Sequence, residues 1–213
     1  MKLQLALDCR NMTEMLEMAD GAAEYADILE AGTPLIVGEG LAAVRKLRCR
    51  YPQKLILADV KIMDAGGYEA EMVCAAGADI VTAMGAAGDA TIREAVKATH
   101  AAGRLLAVDM LGVQDAPGRC EEVDALGVDI VYLHTSFDEF GRLPPPETAL
   151  AEVQKRKIRA KVAVTGGVTL ENVGALAALA PQIIVVGRSI TRAADRAGAA
   201  RAFCEQIKAV DGR

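Results

Sequence analysis

The sequence predicts a single (β/α)8 barrel domain over residues 1–213, on three observations. Eight short apolar runs follow one another, alanine-rich amphipathic stretches of helical period separate them, and no linker or composition shift interrupts the alternation. In order, the runs are LQLALD (3–8), DILE (27–30), LILADVK (55–61), DIVTAMG (79–85), LLAVDM (105–110), DIVYLHT (129–135), KVAVTGG (161–167) and IIVVGRS (183–189). Each is almost continuously apolar until it ends in a polar residue or glycine, as suits a parallel strand buried on both faces. The stretches between them, GYEAEMVCAAGA and ATIREAVKATHAAG among them, need only one apolar stripe to cover such strands. Gly77, Gly103 and Gly127 sit one or two residues before the next run, where a helix closes in the left-handed region. A doubly wound sheet would more often carry fewer strands and a phosphate loop near its start. Pro144 to Pro146 stiffen the loop after the sixth run and mark no domain boundary.

Composition narrows the function classes. Hydrophobic residues make up 52% and charged residues 25%, which excludes disordered and low-complexity chains. With 24 basic and 29 acidic residues the net charge is −5, so most of the surface repels nucleic acid and acidic membranes. The longest uncharged stretch, Asn172 to Gly187, has 16 residues and contains Pro181, too short and too broken to span a bilayer. The first apolar run ends at Asp8, too early for a secretory signal core, so a cytoplasmic protein is expected. The five cysteines, at 9, 49, 74, 120 and 204, form no C-x-x-C pair and read as small core residues.

In a barrel the C-terminal strand ends converge on one mouth. There the sequence offers Asp8, Glu30, Asp59 with Lys61, Asp109 and His134. Four acids, an amine and an imidazole in a small space are costly to bury unless a metal or a substrate compensates the charge. Asp59 and Lys61 lie two apart on a strand and so share a face, a pattern that a structural ion pair would also leave. Asp64 reads equally as a helix N-cap or a site acid. His100, the second histidine, falls on a helix and is expected to face water. At the last two units, Gly166 and Gly167, then Gly187 and Arg188, each precede a helix, the first expected near Thr169. Glycine N–H groups, helix N-termini and a guanidinium suit a phosphate, so a phosphorylated substrate is expected. The plainer alternative is tight corners and a solvated run of Arg188 with Arg192, Asp195 and Arg196.

The strings LEAGTPLI, LADVKIMDAG, ADIVTAMGAAGDATI, HTSFD, VAVTGGV and VVGRSITRAAD carry a resemblance. The chain resembles the orotidine-5′-phosphate decarboxylase suprafamily over essentially its whole length, and within it the 3-hexulose-6-phosphate synthases. Its D-x-K-x-x-D element is filled by Asp59, Lys61 and Asp64. The resemblance implies a Mg²⁺ ion, with Mn²⁺ as a substitute, near Glu30 and Asp59. It also implies a homodimer in which Asp64 reaches into the neighbouring subunit's site. The activity implied is aldol addition of formaldehyde to the enediolate of D-ribulose 5-phosphate, giving D-arabino-hex-3-ulose 6-phosphate. In that reading His134 removes the C1 proton, Lys61 is an electrostatic partner, and Asp8, Asp64 and Asp109 orient hydroxyls or keep Lys61 charged. The alternative is a 3-keto-L-gulonate-6-phosphate decarboxylase. Those enzymes resemble H-R-S-R-D at the sixth strand, where this chain has Phe137 in place of the second arginine, although Arg142 follows nearby. They also typically carry a glutamate where Asp109 stands. A Schiff-base aldolase with Lys61 as nucleophile is disfavoured, because two nearby acids would hold the amine charged.

Overall fold

The computed structural model describes residues 1–136, 138 and 146–212. Phe137, Arg142, Pro144 and Pro145 therefore lie outside the described residues. Eight parallel strands close into a barrel in chain order, the expected (β/α)8 TIM-barrel architecture. They are β1 (Lys2–Leu7), β2 (Ile28–Ala31), β3 (Leu55–Ile62), β4 (Ile80–Met84), β5 (Leu105–Asp109), β6 (Ile130–His134), β7 (Lys161–Thr165) and β8 (Ile183–Val186). Around them run α1 (Met12–Ala19), α2 (Thr33–Glu39), α3 (Ala42–Arg50), α4 (Gly66–Ala75), α5 (Asp89–Ala101), α6 (Ala116–Ala125), α7 (Pro146–Gln154), α8 (Val173–Ala178), α9 (Arg188–Thr191) and α10 (Arg196–Asp211). Among the described residues no helix is long and apolar enough to cross a membrane.

The barrel interior changes character along its axis. Inward positions recur every second residue of each strand. The even strands contribute Ile28, Ile80, Ile130 and Ile183 to one apolar layer. Two residues further along the same strands stand Glu30, Thr82, Tyr132 and Val185, three of them polar and all buried. The odd strands follow suit, with Leu57, Ala107 and Ala163 low in the barrel and Asp59 and Asp109 two residues beyond the first two. An apolar plug thus supports a polar mouth.

The opposite rim is closed by a device used four times. The residue before each even strand accepts, through its side chain, the N–H of the second residue of the preceding odd strand. Asp27 holds Leu3 at 2.9 Å, Asp79 holds Ile56 at 2.8 Å, Asp129 holds Leu106 at 2.9 Å, and Gln182 holds Val162 at 2.7 Å. The backbone N–H of each clamp residue in turn donates to the carbonyl of that same partner. Arg48 and Arg104 both grip the Asp79 carboxylate. The barrel is therefore four successive βαβα units, each closed internally by the same hydrogen-bond pattern. His100 is partly exposed, as expected, but it pairs with one of these clamps, Asp129, at 2.9 Å.

The helices form where the apolar spacing demands. On α5 the buried residues Ile92, Ala95, Val96 and Thr99 make one stripe. Asn11, Asp115 and Asp195 cap α1, α6 and α10 by accepting from Glu14, Gly118 and Gly198 N–H. Gly77, Gly103 and Gly127 adopt φ of +102°, +66° and +93°, as expected of helix closers. Three expectations need correction. The helix after β7 begins at Val173, not near Thr169, because the Asn172 side chain ties the intervening turn to Thr169 N–H and Gly167 O. Asp64 does not cap α4: its Oδ1 accepts the adjacent Ala65 N–H, and left-handed Ala65 occupies the cap position. Among the cysteines only Cys9 and Cys120 are buried; Cys74 and Cys204 are half-buried and Cys49 is exposed on α3.

The tightest helix contact is between α4 and α5. A Cβ at Gly66 would lie 2.0 Å from Thr91 O and 3.2 Å from Ala95 N, both backbone atoms that cannot swing aside. Gly66→Ala is expected to cost about 1–3 kcal/mol and to lower the melting temperature by roughly 2–4 °C per kcal/mol. Gly174→Ala on α8, where a Cβ meets nothing within 4 Å, is expected to be neutral or stabilising. Thermal denaturation of the two variants checks the contrast.

Candidate active site

Asp59 anchors the mouth. It is 8% exposed, and its carboxylate receives three side-chain donors: Thr82 on Oδ1 at 2.9 Å, and Thr33 and Lys61 on Oδ2, each at 2.7 Å. β3 runs two residues longer than β4 between Ala58 and Ile62, and the excess is absorbed at Lys61, whose φ is +53°. Such a bulge re-aims a side chain beside a site. It leaves the Lys61 N–H on Thr82 Oγ1 and the ammonium within 2.7 Å of Asp59 and 3.3 Å of Asp109. Asp59 and Lys61 thus meet as expected, but through the bulge and the left-handed backbone at Lys61 rather than through regular strand alternation.

Asp109 joins the lysine to the histidine. Its Oδ2 accepts from Lys61 and stands 2.8 Å from His134 Nδ1, while Oδ1 accepts Leu111 N–H at 2.9 Å. Burial acts most strongly on this carboxyl and raises its pKa. The His134 hydrogen bond, the His134 and Lys61 charges and the Leu111 N–H outweigh it, so the net position is below the usual 3.8. Lys61 shows the converse balance: burial would lower its pKa, but Asp59 and Asp109 hold it above the ordinary value. The amine is an ammonium. An ionised Asp109 on Nδ1 favours the tautomer protonated there, the one that leaves the Nε2 lone pair for chemistry.

Glu30, 8% exposed, lies at the end of β2 and accepts from Gln4 Nε2 at 2.7 Å. Burial first, then the charges of Asp59 and Asp8, push its pKa well above the ordinary range. Asp8, one residue past β1, stands partly open at the rim, and desolvation followed by the Asp59 charge raises it as well. This crowding of carboxylates is what a cation would relieve. No three His, Cys, Asp or Glu side chains among the described residues form a ready-made metal cage. Two carboxylates with further oxygens from water and substrate nevertheless suit a hard ion such as Mg²⁺. Glu30 and Asp59 fit that donor set.

The phosphate expectation falls on the neighbouring loops. Gly166 and Gly167 have φ of +92° and +71°, and a Cβ on Gly166 would lie 2.3 Å from Thr135 O, so only glycine fits where the β7 loop passes β6. Gly187 precedes α9, and Arg188 stands at its first position. A Cβ on Gly187 would lie 3.7 Å from Asp8 Oδ2, which puts this turn at the same mouth. Asp64 is the one predicted residue set apart. It lines a shallow depression between the β3–α4 loop and α5 with Gly66, Tyr68, Thr91 and Glu94.

Comparison with known proteins matches this geometry to a family. The profile of the orotidine 5′-phosphate decarboxylase/HUMPS family matches residues 1–203. The chain belongs to that family. A 3-hexulose-6-phosphate synthase of Bacillus subtilis (strain 168) is 41% identical over 197 residues, 92% of this chain and 94% of its own. The crystal structure of a 3-hexulose-6-phosphate synthase from Salmonella typhimurium superposes with a TM-score of 0.94 at 38% identity, covering 97% of this chain and 98% of that one. A crystal structure of KGPDC from Streptococcus mutans superposes with a TM-score of 0.91 at 29% identity, covering 98% of each chain.

Within this decarboxylase/HUMPS barrel, four residues at or just beneath the mouth escaped the sequence reading: Thr33, Thr82, Gln4 and Tyr132. Each is a neutral polar residue, and each bonds a charged group or the residue that holds one. Gln4 and Thr82 had a visible signal, a lone polar residue inside an otherwise apolar strand.

The position of Asp109 makes a prediction about acid stability. A carboxyl lowered in the folded state contributes stability that is complete above its unfolded pKa and is lost as pH falls through the folded value. Asp109→Asn is expected to be about 1.5–3 kcal/mol less stable than the native chain at neutral pH. The gap should shrink below about pH 4. Urea unfolding across that range measures it, and a gap independent of pH would contradict the assignment.

Proposed function

We propose that this chain catalyses the 3-hexulose-6-phosphate synthase reaction: aldol addition of formaldehyde to the enediolate of D-ribulose 5-phosphate, giving D-arabino-hex-3-ulose 6-phosphate. The observation that carries the proposal is the Lys61–Asp109–His134 array, with Asp109 Oδ2 at 3.3 Å from the ammonium and 2.8 Å from Nδ1. The names of the full-length relatives point the same way.

The roles follow from the contacts. His134 Nε2, its tautomer set by Asp109, takes the C1 proton as general base. Lys61, held charged, faces the negative charge that develops on the enediolate. A fixed donor of this kind is typically worth about 3–4 kcal/mol in the transition state. C1 then attacks the formaldehyde carbon, and the new alkoxide takes up a proton, so the addition balances without an external oxidant or reductant. Gly166, Gly167, Gly187 and Arg188 hold the phosphate, and Asp8 orients a hydroxyl at the rim. Glu30 and Asp59 would hold Mg²⁺, or Mn²⁺, which supplies Lewis-acid polarisation of the substrate's carbonyl and adjacent hydroxyl oxygens.

Asp64 has no partner from the mouth of its own barrel among the described residues, and it lies next to Met63 in sequence and lines a depression with Tyr68, which are 53% and 70% exposed. An acid next to an uncovered apolar surface supports a homodimer in which Asp64 completes the neighbouring site. Mixing an inactive Asp64→Ala chain with an inactive Lys61→Ala chain should then restore activity, since one site of each mixed dimer keeps both residues. A mixture as inactive as its components contradicts the shared site.

The similarity to a KGPDC favours the decarboxylase as the second reading. Parallel assays separate the two: formaldehyde-dependent consumption of ribulose 5-phosphate, and CO₂ release from 3-keto-L-gulonate 6-phosphate. Activity is expected in the first, together with its loss on adding EDTA. Lys61→Ala and His134→Ala should each lower kcat by about 10²–10⁴ with the fold intact. Activity only in the second assay overturns the synthase reading.

A further inference from the structure

We propose that Gln4 and Tyr132 are positioning residues that hold the Glu30 carboxylate in the orientation in which it receives a divalent cation. The inference rests on the cation reading above and concerns two residues that reading leaves without a role.

Both lie inside the barrel beneath the mouth. Gln4 on β1 is fully buried and Tyr132 on β6 is 5% exposed, among Ile28, Leu57, Ile130 and Val185. Tyr132 Oη donates to Gln4 Oε1 at 2.6 Å, and Gln4 Nε2 donates to Glu30 Oε2 at 2.7 Å. The chain has one direction. A phenol on Oε1 leaves the amide only its N–H to offer the carboxylate, and the reversed amide would set a carbonyl oxygen against it. Burial first, then the Glu30 charge, keep the phenol protonated and therefore a donor.

Packing alone does not call for this arrangement. The inward positions at the level of Gln4 on the other odd strands are Leu57, Ala107 and Ala163, and apolar residues would fill the space without three polar groups to desolvate. What the polar chain adds is a defined position for one carboxylate oxygen. Glu30 Oε1 takes no hydrogen bond from the described residues, so the relay fixes the side chain by one oxygen and spares the other.

Partners that orient a ligating carboxylate typically govern metal affinity by about 10–100-fold. The test is Mn²⁺ binding, followed by the paramagnetic resonance signal of the free ion, to the native chain, Gln4→Met, Tyr132→Phe and the double variant. Inorganic phosphate binding serves as the control. Gln4→Met is expected to weaken Mn²⁺ binding by about 10–100-fold and Tyr132→Phe by less. The double variant should be no weaker than Gln4→Met, because Tyr132 acts through Gln4. Phosphate affinity should not move. Native affinity for Mn²⁺ in both single variants overturns the relay and leaves the cation reading standing. No Mn²⁺ binding by the native chain overturns the cation reading and the relay's purpose with it. Additive losses accompanied by loss of phosphate binding mean a loosened barrel and also overturn the relay. Should Gln4→Met fail to fold, Tyr132→Phe, which removes a single oxygen, carries the test.

Discussion

An ammonium set between two buried carboxylates is the interaction on which the mouth of this barrel depends. Asp59 and Asp109 are 8% and 4% exposed, and a charge buried to that degree is costly unless it is compensated. Lys61 compensates both, at 2.7 and 3.3 Å. The reach requires that β3 carry two residues more than its neighbour β4 and that Lys61 adopt a left-handed backbone, a conformation that costs of order 1–3 kcal/mol for a non-glycine residue. Thr82 takes up part of the disturbance by accepting the Lys61 N–H while donating to Asp59. Strain, charge and hydrogen bonding are therefore concentrated in the same three strands.

The rest of the fold makes that concentration tolerable. The lower barrel is filled by four isoleucines, and the far rim is clamped four times by the same side-chain-to-backbone contact. Stability is thus supplied at the end where nothing reactive gathers. The polar end can then hold groups that would each be unfavourable alone, a division of labour between the two faces of such barrels.

Much of this was legible in the sequence because strand ends announce themselves. Asp8, Glu30, Asp59, Asp109 and His134 each follow an apolar run, and the convergence of strand ends on one mouth gathers them. The partners of those charges were not legible. Thr33 reaches Asp59 across β2 and β3, and Tyr132 reaches Gln4 across the barrel, with a separation of 128 in sequence. Such contacts depend on register and closure, which no local pattern encodes. The repeated D-I at 27, 79 and 129 was visible as a strand opening, but its role as a clamp appears only when the preceding odd strand lies alongside. The late start of α8 has a local origin instead, since an asparagine side chain holding its own turn competes with the helix.

Counting acceptor capacity sorts the carboxylates by role. A carboxylate offers about four acceptor positions on its two oxygens. Asp59 receives Thr33, Thr82 and Lys61, and Asp109 engages Lys61, His134 and Leu111, so each keeps about one position for a ligand. Glu30 receives only Gln4 among the described residues. The two aspartates thus spend most of their capacity on the lysine and the histidine, and in the proposed reading Asp59 gives its remaining position to the cation. Glu30 is the carboxylate with most capacity in reserve, and burial first, then the Asp59 and Asp8 charges, raise its pKa beyond what Gln4 and Lys61 offset. The chain neutralises two buried acids internally and gives the third one hydrogen bond among the described residues, the asymmetry that the proposed cation would balance.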